Sequence, residues 1–155
     1  ILGIHERAQE PGILWLATVG GGLNRYDSHT GISKHYTQND GLSNNTIYGI
    51  LEDSNGSLWM STNRGISNFD PENETFRNYG LDDGLMALEY NQYVYAKGVE
   101  GMMYFGSTNV VTGFIPEKLA INAITHQVIL SGLNIVNNKL VSGPVSIITI
   151  PITSR

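Results

Sequence analysis

The chain has 155 residues, with 14 acidic and nine basic side chains and a formal net charge of −5. That length suits one ordinary domain, and that charge argues against a nucleic-acid-binding surface. Eighteen glycines against only 15% charged residues favour a turn-rich all-β protein over a helical bundle, and the lack of cysteine excludes disulfides and thiolate metal sites.

The opening "ILGIHERAQ" reads as a first strand met partway through a longer protein, with no signal peptide ahead of it. "GILWLAT" follows from Gly12, and the glycine-rich "VGGGLNRYD" (Val19 to Asp27) lies between two strands. A first unit closes at residue 36. "TIYGILED" (Thr46 to Asp53) is β-branched and aromatic, and "SNG" (Ser54 to Gly56) predicts a two-residue hairpin loop with φ > 0. "SLWMST" is a second strand, "NRG" a turn and "ISNFD" a third strand. "PENE" (Pro71 to Glu74) is a surface turn in which proline fixes φ, and "TFRNYG" is a fourth strand. "LDDGL" then leads into a third unit, most of which fits between residues 91 and 116. No segment holds a sustained 3.6-residue apolar period, and no apolar run approaches the roughly 18 residues of a membrane-spanning helix.

The units repeat. At an offset of 44 residues Gly12, Leu14, Trp15 and Thr18 fall on Gly56, Leu58, Trp59 and Thr62. At 43, Gly22, Leu23, Tyr26, Asp27 and Tyr36 fall on Gly65, Ile66, Phe69, Asp70 and Tyr79, and "DGL" at Asp40 falls on "DGL" at Asp83. At 45, Gly56, Trp59, Phe69 and Pro71 fall on Gly101, Tyr104, Phe114 and Pro116. Four short strands per roughly 44 residues is the β-propeller blade. The expected fold is therefore all-β, with four-stranded antiparallel blades in a partial propeller of about three. Trp15, Trp59 and Tyr104 are expected as wedges between blades; a sugar-stacking surface is the alternative.

The pattern "IxxILEDSNGxLWxST…GIxxFDP…FxxY…DGL" resembles the two-component regulator propeller repeat. The third unit, "NQYVYAKGVEGMMYFGSTNVVTGFIPEKL" from Asn91, resembles the last blade of that family. "HQVILSGLNIVNNKLVSGPVSIITIP" from His126 resembles the opening of the triple-tyrosine β-sandwich that follows such propellers. The resemblance implies the C-terminal blades of a sensor propeller at 1–117. It also implies a linker and the first strands of a sandwich at 118–155. Charge breaks at the same place, since residues 1–117 hold all 14 acidic residues and residues 118–155 hold none. It implies the extracytoplasmic, periplasmic part of an inner-membrane receptor, ligand-sensing and not itself catalytic, whose parent is a sensor histidine kinase, often a hybrid one. A membrane diguanylate cyclase is an alternative parent, and a secreted propeller enzyme acting on polysaccharides an alternative function. Three departures stand out. "ERAQEP" occupies the place of "LEDSN", Val110-Val111 stand where the second unit has Gly65-Ile66, and no tyrosine follows residue 104.

Catalytic and cofactor chemistry is sparse. His5, His29, His35 and His126 share no metal-ligand spacing, and "VGGGLNRYD" lacks the helix that would cradle phosphate. "NDG" and "DSNG" offer loop oxygens of the kind calcium takes, but neither is a full EF-hand loop, and turn geometry accounts for both. No catalytic residue, metal or cofactor is expected. A binding face is the better expectation, because the loops entering the innermost strands ring one end of a propeller. The candidate residues there are Asn39, Asp40, Ser43, Asn44, Asn45, Asn63, Arg64 and Asn91. They could hydrogen-bond a small polar ligand such as an oligosaccharide, or they could merely satisfy turn backbones. The expected partners are the remaining blades and the sandwich of the parent receptor. About three blades leave open flanks, so a homo-oligomer of the isolated chain is also expected. The membrane enters only through the parent protein.

Overall fold

Apolar runs broken by glycine turns give eleven strands over residues 1–119, the part of the chain that the computed structural model describes. The sandwich expected for residues 118–155 lies, except for its first two residues, outside them. Strands β1 (Gly3–Glu6), β2 (Ile13–Ala17), β3 (Leu23–Asp27) and β4 (Ser33–Tyr36) form the first antiparallel sheet, in that order. Strands β5 (Ile47–Glu52), β6 (Leu58–Thr62), β7 (Gly65–Asp70) and β8 (Thr75–Tyr79) form the second. Strands β9 (Tyr90–Lys97), β10 (Met103–Ser107) and β11 (Val111–Phe114) form a third of three strands. The register repeats with the sequence: Trp15 opposes His5 and Arg25, and Trp59 opposes Leu51 and Asn68. The sheets are therefore blades. Their first strands β1, β5 and β9 lie nearest one another, as the innermost strands of a propeller do.

All five residues of β6 are buried, which a half-exposed sheet would not allow. Two cores explain it, one on each face of the second blade. The first joins blades one and two through Trp15, Leu23, Tyr36, Ile47, Leu58, Met60 and Phe69. The second joins blades two and three through Trp59, Ile66, Tyr90, Met103 and Phe105. Both use one aromatic motif. Trp15 meets Tyr36 of its own blade at 6.1 Å and Phe69 of the next at 5.5 Å; Trp59 meets Tyr79 at 5.3 Å and Phe114 at 4.9 Å. The residue offsets of these three positions are the repeat offsets read from the sequence.

A recurring hydrogen bond accompanies the motif. Gly22 N donates to Asn45 O at 2.8 Å and Gly65 N to Leu88 O at 2.7 Å, so each blade's third strand is tied to the entry of the next blade. Both glycines have positive φ, +71° and +86°, and a Cβ on either would sit 2.1 Å from the carbonyl oxygen of the blade's final tyrosine. Only glycine fits there.

Two expectations need correction. The loop at Ser54–Gly56 is a three-residue hairpin: Asp53 N donates to Ser57 O, and only Gly56 has positive φ. The two-residue type I′ turn would have needed positive φ at Asn55 as well. Tyr104 occupies the blade position of Trp59 but is 40% exposed, whereas Trp15 is 1% and Trp59 4% exposed. It is not a wedge among the described residues, because no further blade supplies the partner that Phe69 and Phe114 provide for the two tryptophans.

Candidate functional site

Each blade-to-blade connection is built by a "DGL" turn. Thr37–Asp40 forms a single 3₁₀ turn in which Thr37 N donates to Asp40 Oδ2 at 2.8 Å; Gly41 ends it at φ +108°, and Leu42 drops into the core. The second connection repeats this, with Gly80 N donating to Asp83 Oδ2 at 2.8 Å and Gly84 at φ +93°. Asp40, one of the candidate binding residues, and its repeat counterpart Asp83 are therefore turn caps.

Between these two connections lies a groove of about 640 Å³. The first connection contributes Gln38, Gly41, Leu42 and Ser43. The second contributes Leu81, Asp82 and Leu88, the end of β8 supplies Asn78 and Tyr79, and the β6–β7 turn supplies Arg64. Two of its lining residues, Ser43 and Asn78, belong to a chain of polar contacts that includes the buried Ser67 and Thr62. Ser67 Oγ donates to Ser43 Oγ or to Asn78 Oδ1, each at 2.7 Å, Ser43 Oγ meets Thr62 Oγ1 at 3.0 Å, and Asn78 Nδ2 donates to Gly41 O at 2.8 Å. Thr62 and Ser67 are fully buried, so their hydroxyls require these partners. Burial pushes the Tyr79 phenol pKa above its ordinary value.

Of the eight candidate residues, the groove takes in Ser43 and Arg64. The others have local duties or lie elsewhere. Asn44 Oδ1 accepts from Thr46 N, Asn45 Oδ1 from Gln38 N, and Asn63 Oδ1 from the Tyr48 hydroxyl, all at 2.7–2.8 Å. Asn39 N donates to Thr37 Oγ1, and Asn91 is an exposed residue of β9. Gln38, Asn78, Tyr79 and Asp82 escaped the sequence reading. Position 78 could have been found from the repeat, since it matches His35, which pairs with Asn24 as Asn78 pairs with Ser67.

The "DSNG" turn is likewise self-contained. Asp53 Oδ1 accepts from Asn55 N and Ser57 N, and Oδ2 accepts from Trp59 Nε1 at 2.9 Å. Among the described residues no group of three or more His, Asp or Glu side chains could hold a metal ion, and no helix is long and apolar enough to cross a membrane.

On the opposite edge of the first interface, "ERAQEP" builds an ion cluster. Arg7, 4% exposed, donates to Glu10 Oε2 at 2.8 Å and to Glu52 Oε1 at 3.2 Å, Arg25 donates to Glu10 Oε1 at 3.1 Å, and His5 Nε2 lies 2.7 Å from Glu52 Oε2. Burial lowers the Arg7 guanidinium pKa, but its hydrogen bonds to Glu52 and Glu10 outweigh this and raise it.

Repeated blades of this register define a β-propeller segment. The family described as two-component regulator propeller matches residues 41–64, the first connection through the β6–β7 turn, so the chain carries that repeat. "Histidine kinase P4" of Formosa agariphila is 30% identical over 113 residues, which span 72% of this chain and 8% of that protein. The crystal structures of the extracellular domains of the hybrid two-component systems BT3049 and BT4673 of B. thetaiotaomicron each superpose with a TM-score of 0.64. Their identities are 21% and 23%, and each match covers 76% of this chain and 17% of theirs. At those identities the likeness establishes the fold. The chain thus spans a small part of each relative. It is a propeller segment that carries the two-component regulator propeller repeat.

Proposed function

We propose that the chain forms part of the extracytoplasmic sensor region of a hybrid two-component histidine kinase, and that the groove between its blade connections takes a small polar ligand such as an oligosaccharide. The observation that carries the ligand is the groove itself: about 640 Å³, walled by two successive connections and lined by the polar side chains of Gln38, Ser43, Arg64, Asn78, Tyr79 and Asp82. Pockets of this size with convergent polar groups are where small ligands bind. The relatives support the receptor context, through a histidine kinase and extracellular domains of hybrid two-component systems. A ligand bridging the connections would bias the packing of neighbouring blades, and the parent receptor would pass that bias inward as a rigid-body shift.

Calorimetric titration of the parent receptor's extracytoplasmic region with a panel of oligosaccharides tests this. Gln38→Ala and Asp82→Ala remove groove groups without touching a core, so each should weaken binding about tenfold while leaving the melting temperature unchanged. Binding that both variants leave intact would refute the groove.

A further inference from the structure

Arg64 differs from most cations of the blades, which have a partner. Arg7 and Arg25 pair with Glu10, Lys34 pairs with Glu74, and Arg77 lies 5.0 Å over the Tyr79 ring. Arg64 lines the groove, and its guanidinium makes no ion pair or hydrogen bond among the described residues. The turn beneath it is fixed. Its own N–H donates to Thr62 Oγ1 at 2.9 Å, the Thr62 hydroxyl donates to Gly65 O at 2.9 Å, and Gly65 N is anchored to Leu88 O. The cation is thus presented from a rigid support into a concave site. Asp82 also lines the groove without pairing with Arg64, while Asp83 beside it is engaged in capping Gly80. Around the two charges stand uncharged hydrogen-bonding groups, Gln38, Ser43, Asn78 and Tyr79.

We propose that the ligand carries one anionic group, a carboxylate or a sulfate ester, held by the Arg64 fork on a hydroxyl-rich framework whose hydroxyls donate to Asp82. A planar guanidinium matches either anion with two parallel hydrogen bonds. The separated carboxylate selects against densely charged polyanions, since a second anion would meet Asp82 without a counter-charge. The proposal rests on the groove being the binding site, and its test separates the two ideas.

Length-matched neutral, uronate and sulfated oligosaccharides are titrated into the complete extracytoplasmic region and into its Arg64→Gln, Arg64→Lys and Gln38→Ala variants. The acidic glycans should bind, with affinity that falls as salt is added. Arg64→Gln should weaken them about tenfold or more, Arg64→Lys less, and neither should shift the melting temperature, because the guanidinium makes no ion pair or hydrogen bond among the described residues. Neutral glycans that bind equally well to Arg64→Gln, yet weaken with Gln38→Ala, would overturn the anion and keep the groove. Binding unaffected by every variant, or no binding across the panel, would overturn both.

Discussion

In the second blade the buried indole of Trp59 donates to Asp53 Oδ2, an acceptor fixed by the hairpin that precedes its strand. In the first blade Trp15 is buried at the same position, and its Nε1 has no partner. "ERAQEP" has replaced the hairpin aspartate, and in its place Arg7 is directed across the blade interface onto Glu52. One blade satisfies its own tryptophan; the other leaves the tryptophan unsatisfied and gains an ionic tie to its neighbour. The apolar motif is common to both. The repeat therefore fixes the aromatic geometry and the glycine that lets blades approach, and it leaves the hairpin polar groups free to vary.

The largest expected effect falls on what the blades share. Gly65→Ala places a Cβ 2.1 Å from the Tyr79 carbonyl oxygen at φ +86° and disturbs the tie to Leu88. Left-handed backbone alone costs about 1–2 kcal/mol for a non-glycine residue, and the clash adds more, so a loss of about 3 kcal/mol or more is expected. Gly31→Ala is the control: φ is +73° with nothing within 4 Å, and the loss should be about 1 kcal/mol. Denaturant melts of the two variants measure the difference. Equal losses would show that close approach contributes nothing and that only φ matters.

A smaller effect separates the two tryptophans. Trp59→Phe removes a hydrogen bond and strips Asp53 of an acceptor role, whereas Trp15→Phe removes a donor that already lacks a partner. Both leave a cavity, so the comparison cancels most of the packing loss. Trp59→Phe should be the more destabilising by about 1–2 kcal/mol in equilibrium unfolding. The reverse order would mean that Trp15 Nε1 has a partner in solution.

The sequence made the blades readable for a physical reason. Trp15 and Trp59, Gly22 and Gly65, and Tyr36 and Tyr79 recur because the interface they form recurs, and a repeated contact leaves a repeated letter. The groove was only half readable. Its walls, the connections around Asp40 and Asp83, followed from blade topology, but most of the amides there close turns, a local competition that composition cannot decide. Asn78 and Tyr79 belong to a strand and reach the groove only because β8 ends beneath it. The hairpin at Asn55-Gly56 was misjudged by one residue because Asp53 pulls two turn amides onto its own side chain.

The smallest effect tests the support that Glu10 gives Arg7, the residue that ties the first interface. Burial by itself would raise the Glu10 carboxyl, but hydrogen bonds from Arg25 and Arg7 outweigh it and hold the group below its ordinary value. A carboxylate depressed on folding contributes its full stability above its unfolded pKa, and that contribution is lost as pH falls through the folded value. The native chain should therefore lose part of its stability on acidification below the ordinary carboxylate range. Glu10→Gln should lower stability near pH 7 by about 1 kcal/mol, the order expected of a partly exposed ion pair, and should flatten that acid slope. The substitution leaves Arg7 its bond to Glu52, so the buried guanidinium keeps a counter-charge and the loss stays small. Urea melts of native and variant chains from neutral to acid pH measure both quantities. Parallel curves offset by a constant would mean that Glu10 acts only through packing, and that its pairs with Arg7 and Arg25 carry none of the pH dependence.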